Sequence, residues 1–541
     1  MPRAYAAGSA SPGGGAGKPT PAHSTPSSAP SPHQPRHFVH ALPDYRGADV
    51  DLLSSSLAQL GALRRSGGAS LARVSYDLCV TSFSRAATPV SPYRSDSGVP
   101  LSSPAPESPG DAPSRVSFAL GEEQRQTKKP CKGPSVYVGK AGVAWSLAKS
   151  AGAVPGDDTA QETLKEAMDL ATEALEEATE LWADDARSYA LLDGLAGAAV
   201  ARAAIAFRVG DTEAATESLE VFSECQPPAF SAGTSSVMAM SPVAYHAQPT
   251  VADEILYGRA GYLLACCALC HMVPAHDDKD FFKKTVGNVA RDLMRSGRLH
   301  AEKVGIAHRC PLYYDWHNVP YLGFAHGLMG ILFSLMTALP LLAVEDATRV
   351  RNEIHTCLTF VLTHERDEGK YPTRCIESFG TPTAQAKAES TSEGLPKMLC
   401  QWCHGSTGAA MLFAKAAHTF TDDSEKRNRY ASAALRAGDV VWREGLLKKG
   451  VGLCHGVAGN GYALLACSRL PSVEDEILAR YAHRARMFAD WIVSDEGQST
   501  YGVPDHAASL FEGLAGASCF VMDVDDRGGA GLPFVETFSF L

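Results

Sequence analysis

Seven copies of one short glycine motif constrain this chain more than any other feature. They read YVGKAG at Gly139, LLDGLAG at Gly194, LYGRAG at Gly258, GFAHGLMG at Gly327, WCHGSTG at Gly405, LCHGVAG at Gly456 and LFEGLAG at Gly513. Each opens a stretch rich in Ala and Leu, and successive copies stand 55, 64, 69, 78, 51 and 57 residues apart. Self-similarity of this kind marks a repeat architecture, in which each unit buries its apolar face against the next.

Each interval has room for two helices. AAVARAAIAFRVGD after Gly197 and YLLACCALCHMV after Gly261 are apolar nearly all round, as a helix buried on every side must be. ETLKEAMDLATEALEEATELWA, from Glu162 to Ala183, is amphipathic, with acids and a lysine between apolar residues at helical spacing. An inner apolar helix alternating with an outer amphipathic one predicts an all-α, two-layer α/α body. The first glycine of each motif is expected to turn the chain in a conformation that other residues resist, and the second to allow close backbone approach. Spacing alone does not distinguish a closed ring from an open solenoid. The last copy is as apolar as the middle ones, and the lack of a polar capping repeat favours closure.

The repeat claims about 400 of the 541 residues as one unit. Net charge is -11, with Lys and Arg scattered, which argues against nucleic acid as a partner. No run of about 20 apolar residues lacks charge. The most apolar stretch, Gly330 to Val344, is short and contains Pro340, so it reads as a buried helix. The 14 cysteines sit in apolar helical contexts, as at Cys266, Cys267 and Cys270, with no secretory signal ahead of them. That usage points to reduced thiols and a cytoplasmic setting.

Residues 1–35, rich in Pro, Ser, Gly and Ala, are expected to be disordered. No acid precedes Asp44, which leaves organellar targeting open, while the few Arg residues and the lack of a clear amphipathic helix count against it. Residues 36–76 read as an arm, HFVHALPDY, followed by an amphipathic helix, DLLSSSLAQLGALRR. Residues 77–132 return to Ser, Pro and Gly and read as a flexible insert before a body spanning 133–541.

Three consecutive copies carry His or Cys just before the glycine. Copy four offers His326, copy five Cys403 and His404, and copy six Cys454 and His455. Equivalent positions in successive repeats lie on adjacent inner helices about 10 Å apart, so their side chains can meet. Cys403, Cys454 and His455 can form three corners of a zinc tetrahedron, leaving the fourth for water or substrate, as in a catalytic site. The competing reading makes the cysteines small buried hydrophobes and the histidines helix caps. What favours metal is the shared repeat position. Helix starts on this rim would also present free N–H groups and a positive dipole end, which suit a thiolate.

At these residues the chain resembles the lanthionine synthetase C-like family, and specifically its eukaryotic LanC-like branch. The resemblance runs from about Ser135 to Leu541 and is carried by YYDWHNVPYLGFAHGLMGI, QWCHGSTG, EGLLKKGVGLCHGVAGN and SLFEGLAG. RHFVHALPDY, from Arg36 to Tyr45, is similar to the arm that starts such proteins. The resemblance implies a double-layered α/α toroid of seven repeats, with one zinc ion on Cys403, Cys454 and His455. It also implies conjugate addition of a thiolate to dehydroalanine or dehydrobutyrine, with glutathione as the thiol in eukaryotic members. By the same resemblance His326 is the acid that protonates Cα, and His404 lines the cavity. Lys449, Val503, Pro504, Asp505 and Arg36 fall at positions expected to contact glutathione. A solvated helix-end lysine is the plain alternative for Lys449. Gly502 stands where animal members usually carry Arg, a departure that bears on glutathione affinity and pose.

The expected partners are glutathione and dehydroamino acid-containing peptides or proteins, for a monomer that is cytoplasmic and compatible with peripheral association at the plasma membrane. Plant members of the group have been proposed as receptors or partners in abscisic acid signalling, so a non-enzymatic receptor or signalling partner is the alternative. A receptor does not need two cysteines and a histidine around an open metal site. Glycan-processing toroids need paired carboxylates, and here only Glu254 and Glu512 sit near the rim.

Overall fold

The computed structural model describes residues 42, 44, 62, 64–77, 131, 133–154, 156–230, 251–273, 277–375, 397–502, 504–525 and 530–538. Residues 1–35, Arg36 and nearly all of the 77–132 insert lie outside the described residues. The chain divides into Met1–Arg36 and His37–Leu541, and all the described residues belong to the second unit.

Each glycine motif opens an inner helix: Lys140–Ser150, Leu195–Val209, Arg259–Met272, Leu328–Ala338, Ser406–Thr419, Val457–Cys467 and Leu514–Asp523. Their faces are buried almost all round. The first glycine caps each helix, but only Gly405 does so with a left-handed backbone, at φ 98°. The others are extended, as at Gly456 with φ -131°, a conformation open to any residue. Crowding explains them better than backbone freedom. A Cβ on Gly142, Gly197, Gly261, Gly330, Gly408, Gly459 or Gly516 would run into the carbonyl group six residues earlier, because the preceding turn folds back onto the first helical turn.

That folded-back turn also occupies the helix N-terminus. Lys140 N donates to Gly133 O at 3.0 Å, Leu328 N to Tyr321 O at 3.1 Å, Ser406 N to Leu399 O at 3.2 Å and Val457 N to Gly450 O at 3.2 Å. The leading amides expected to be free are therefore satisfied within the chain.

A belt of backbone hydrogen bonds links the residues two before each first glycine, with Ile255, three before Gly258, sharing the place with Leu256 in copy three. Tyr137 N donates to Leu192 O at 2.7 Å, Leu192 N to Leu256 O at 3.3 Å, and Ile255 N to Ala325 O at 3.1 Å. Ala325 N donates to Cys403 O at 3.2 Å, Cys403 N to Cys454 O at 3.3 Å and Cys454 N to Phe511 O at 2.7 Å. Phe511 N returns to Tyr137 O at 3.0 Å, so the ring is closed. The inner helix of copy seven accordingly packs beside that of copy one. Among the described residues there is no β-strand, only isolated bridges.

The outer layer holds Ala160–Trp182, Thr212–Glu224, Asp277–Lys303, Val344–Leu362, Ser424–Glu444 and Asp475–Val493. The helix over residues 64–77 lies in the remaining outer place. Its Gly68 abuts Met522 and Ser518 of the seventh inner helix, and Gly67 abuts Val493. Arg64, buried, binds Asp490 and Asp525 at 2.6 Å each, and Arg73 reaches Glu166 on the other side. The described part of this helix overlaps the end of the amphipathic run singled out in the sequence and extends past it. Leu42 of the arm packs on the core, and Asp44 pairs with Arg484 at 2.7 Å. Among the described residues every cysteine is buried and none forms a disulfide, and no helix is long and apolar enough to cross a membrane.

Candidate metal and thiol site

The belt sorts neighbouring positions of the motif. Residues two before the glycine make the belt, whereas those one before it, Val138, Asp193, Tyr257, His326, His404, His455 and Glu512, are all half-buried. They stand together at one end of the toroid. The chemistry-bearing side chains are on this ring or directly under it.

Cys403 and Cys454, both belt residues, are 8% and 4% exposed. Their sulfurs and a ring nitrogen of His455 lie within 4.8 Å of one another. Burial and the adjacent Cys403 push the Cys454 thiol well up, with His455 pulling the other way. Burial lowers His455, but hydrogen bonding to Cys454 and its charge outweigh it and leave the imidazole raised. His455 Nε2 is buried with no hydrogen-bond partner. Two soft sulfur donors and an imidazole whose buried Nε2 is orphaned fit a zinc ion. Behind the cluster, buried Asn460 joins copies five and six: it accepts from Thr407 Oγ1 at 2.6 Å and donates to Cys400 O at 3.2 Å and Gly445 O at 2.8 Å. Tyr137 stacks on Phe511 at 5.0 Å, and its hydroxyl is raised by burial and then by the charges of Cys454 and Cys403.

His326 Nδ1 lies 2.7 Å from Glu254 Oε2, and Glu254 is 2% exposed. The same carboxylate accepts the amides of Leu256 at 3.0 Å and Tyr257 at 2.6 Å. With the carboxylate so held, His326 Nδ1 donates to it and Nε2 is the nitrogen left for the site. The His404 ring lies 6.3 Å from His326. Burial, then the charge of His326, pulls His404 down to about 4. A second histidine–carboxylate pair joins His506 Nδ1 and Glu512 Oε2 at 2.7 Å.

The two rim acids noted in the sequence thus each pair with a histidine rather than with each other. Glu512 was visible as the residue before the seventh glycine. Glu254 stands four residues before the third glycine, and its pairing with His326 carries no such signal, since only the fold brings copy three beside His326.

Of the residues expected at glutathione, Lys449 is exposed and close enough to His455 for its charge to lower the imidazole. Pro504 is buried and Asp505 exposed, while Val503 and Arg36 lie outside the described residues. Gly502 N donates to Lys448 O at 2.9 Å, and a Cβ on Gly502 would meet that oxygen at 2.5 Å. Glycine here therefore lets the backbone at 502 lie against the segment bearing Lys449.

The family model described as lanthionine synthetase C-like protein matches residues 130–537. The chain is 30% identical over 400 residues to glutathione S-transferase LANCL1 of Danio rerio, covering 74% of this chain and 84% of that one. It is 34% identical over 276 residues to LanC-like protein GCL1 of Arabidopsis thaliana, covering 50% and 54%. Among solved structures, nisin cyclase superposes with a TM-score of 0.49 at 15% identity, over 78% of this chain and 95% of that one. The chain belongs to the lanthionine synthetase C-like family.

Proposed function

We propose that this protein transfers glutathione to dehydroalanine or dehydrobutyrine residues of polypeptides, forming a thioether. The observation that carries the reading is the convergence of Cys403, Cys454 and His455 within 4.8 Å at the rim that also holds the His326–Glu254 pair. The relative named glutathione S-transferase supports the choice of thiol.

Cys403, Cys454 and His455 would hold the metal. A bound zinc ion supplies a Lewis acid that keeps a coordinated thiol deprotonated near neutral pH. Lys449 and Asp505 offer opposite charges to the carboxylates and ammonium of glutathione. As the sulfur–Cβ bond forms, the alkene electron pair moves to Cα, and His326 gives its Nε2 proton there. Glu254 holds that imidazole by Nδ1 and stabilises its charged form. His404 lines the cavity beside His326. Buried cysteines without disulfides throughout the described body fit a reducing, cytoplasmic compartment.

The test is to incubate the purified protein with glutathione and a dehydroalanine peptide and to follow thioether formation by mass. Activity that is lost in Cys454→Ala and in His326→Ala, with metal lost only in the former, supports the roles given. Full activity in Cys403→Ala overturns them.

A further inference from the structure

Most large aromatic side chains of the body are sealed: Trp145, Trp402, Tyr262, Tyr371 and Tyr430 are each under 2% exposed. Around His326 the pattern reverses, and Tyr257, Trp316 and Tyr321 are left half-buried. The Trp316 and Tyr257 rings lie nearly parallel to His326, at 8° and 14°, with centroids 6.3 and 6.2 Å away. They are 6.0 Å from each other. Tyr321 stands 6.2 Å from His326 and 5.5 Å from His404. At these separations the rings sit offset, forming one wall rather than a sealed stack.

The backbone holds this wall in place. Trp316 and Val319 exchange both amide hydrogen bonds at 3.0 Å across a two-residue turn, with His317 and Asn318 left-handed at φ 52° and 60°. That hairpin is the tightest kind. Tyr257 is anchored by its amide to Glu254, the same carboxylate that holds His326.

Glutathione has no aromatic ring and few apolar atoms, so the wall has no evident use for the thiol donor. The acceptor is the other reactant. In an extended chain, side chains on one face recur every two residues, about 6.6 Å apart, and Trp316 stands 6.3 Å from the proposed proton donor. Resting on the function proposed above, we infer that Trp316, with Tyr257 and Tyr321, selects extended polypeptide acceptors bearing an aromatic or large apolar side chain two residues from the dehydroamino acid.

Two readouts test this. In the first, labelled pentapeptides with Ala in place of the dehydroamino acid carry either Phe or Gly two positions to each side, and binding to the metal-loaded protein is followed by fluorescence anisotropy. The Phe peptide is expected to bind roughly fivefold tighter, the scale of one aromatic contact. The preference should vanish in Trp316→Ala and largely return in Trp316→Phe. In the second, the dehydroalanine forms of both peptides are turned over, and the preference should lie in KM rather than kcat. Equal binding of both peptides by the native protein overturns the inference, as does a preference that survives in folded Trp316→Ala. A binding preference without any thioether formation supports the wall and counts against the proposed reaction instead.

Discussion

The amide of Phe511 donates to the carbonyl of Tyr137 at 3.0 Å, joining the seventh motif to the first across most of the folded chain. This bond turns a row of repeats into a ring, and the ring sets which motif positions form the belt and which face the mouth. The chemistry assigned to the rim depends on that sorting.

Crowding at the second glycines gives the sharpest stability test. A Cβ on Gly459 would run into the carbonyl of Leu453, whereas one on Gly287, in the outer helix Asp277–Lys303, meets nothing within 4 Å. Gly459→Ala is expected to cost roughly 3 kcal/mol. Gly287→Ala should stabilise by about 0.5–1 kcal/mol, as alanine does in a helix interior. Thermal unfolding midpoints should therefore move in opposite directions.

Metal content separates ligands from acid. Cys403→Ala, Cys454→Ala and His455→Ala should each lose bound zinc, measured by elemental analysis and by loss of the sulfur-to-cobalt charge-transfer band after cobalt substitution. His326→Ala should keep the metal and lose turnover by about 100-fold or more.

Glu254→Gln tests the positioning of His326. The amide can still hydrogen-bond but cannot stabilise the protonated imidazole, so kcat should fall by roughly 10- to 1000-fold with zinc retained. An unchanged kcat would leave Glu254 no part in positioning His326.

The helix over residues 64–77 is expected to be tied down by charge in a pH-dependent way. Burial alone would raise Asp525, but hydrogen bonds and charges from Arg486 and Arg64 outweigh it and hold the carboxyl below its usual range. A depressed folded value means stability that is present above the unfolded value, about 3.9, and lost as pH falls through the folded one. Arg64→Met should cost about 2 kcal/mol at neutral pH, less than a fully buried pair because Asp490 and Asp525 remain partly exposed. The gap from the native protein should narrow below about pH 4, as read by unfolding midpoints across pH.

Much of the fold was legible in the sequence because a two-layer repeat writes its period into the chain. Gly139 to Gly513 mark the inner helix starts, and the apolar and amphipathic segments between them divide into layers. The cluster of Cys403, Cys454 and His455 was legible for the same reason, since Cys403 and Cys454 occupy one repeat position and His455 the next. The apolar last copy favoured ring closure, but the pairing of Glu254 with His326, the outer place taken by residues 64–77 and the wall of Tyr257 and Trp316 were not legible. Each depends on residues far apart in the chain meeting in space, and no local period or spacing encodes such a meeting. The repeat determined what each unit is made of; the closed packing of the units decided which side chains share the mouth.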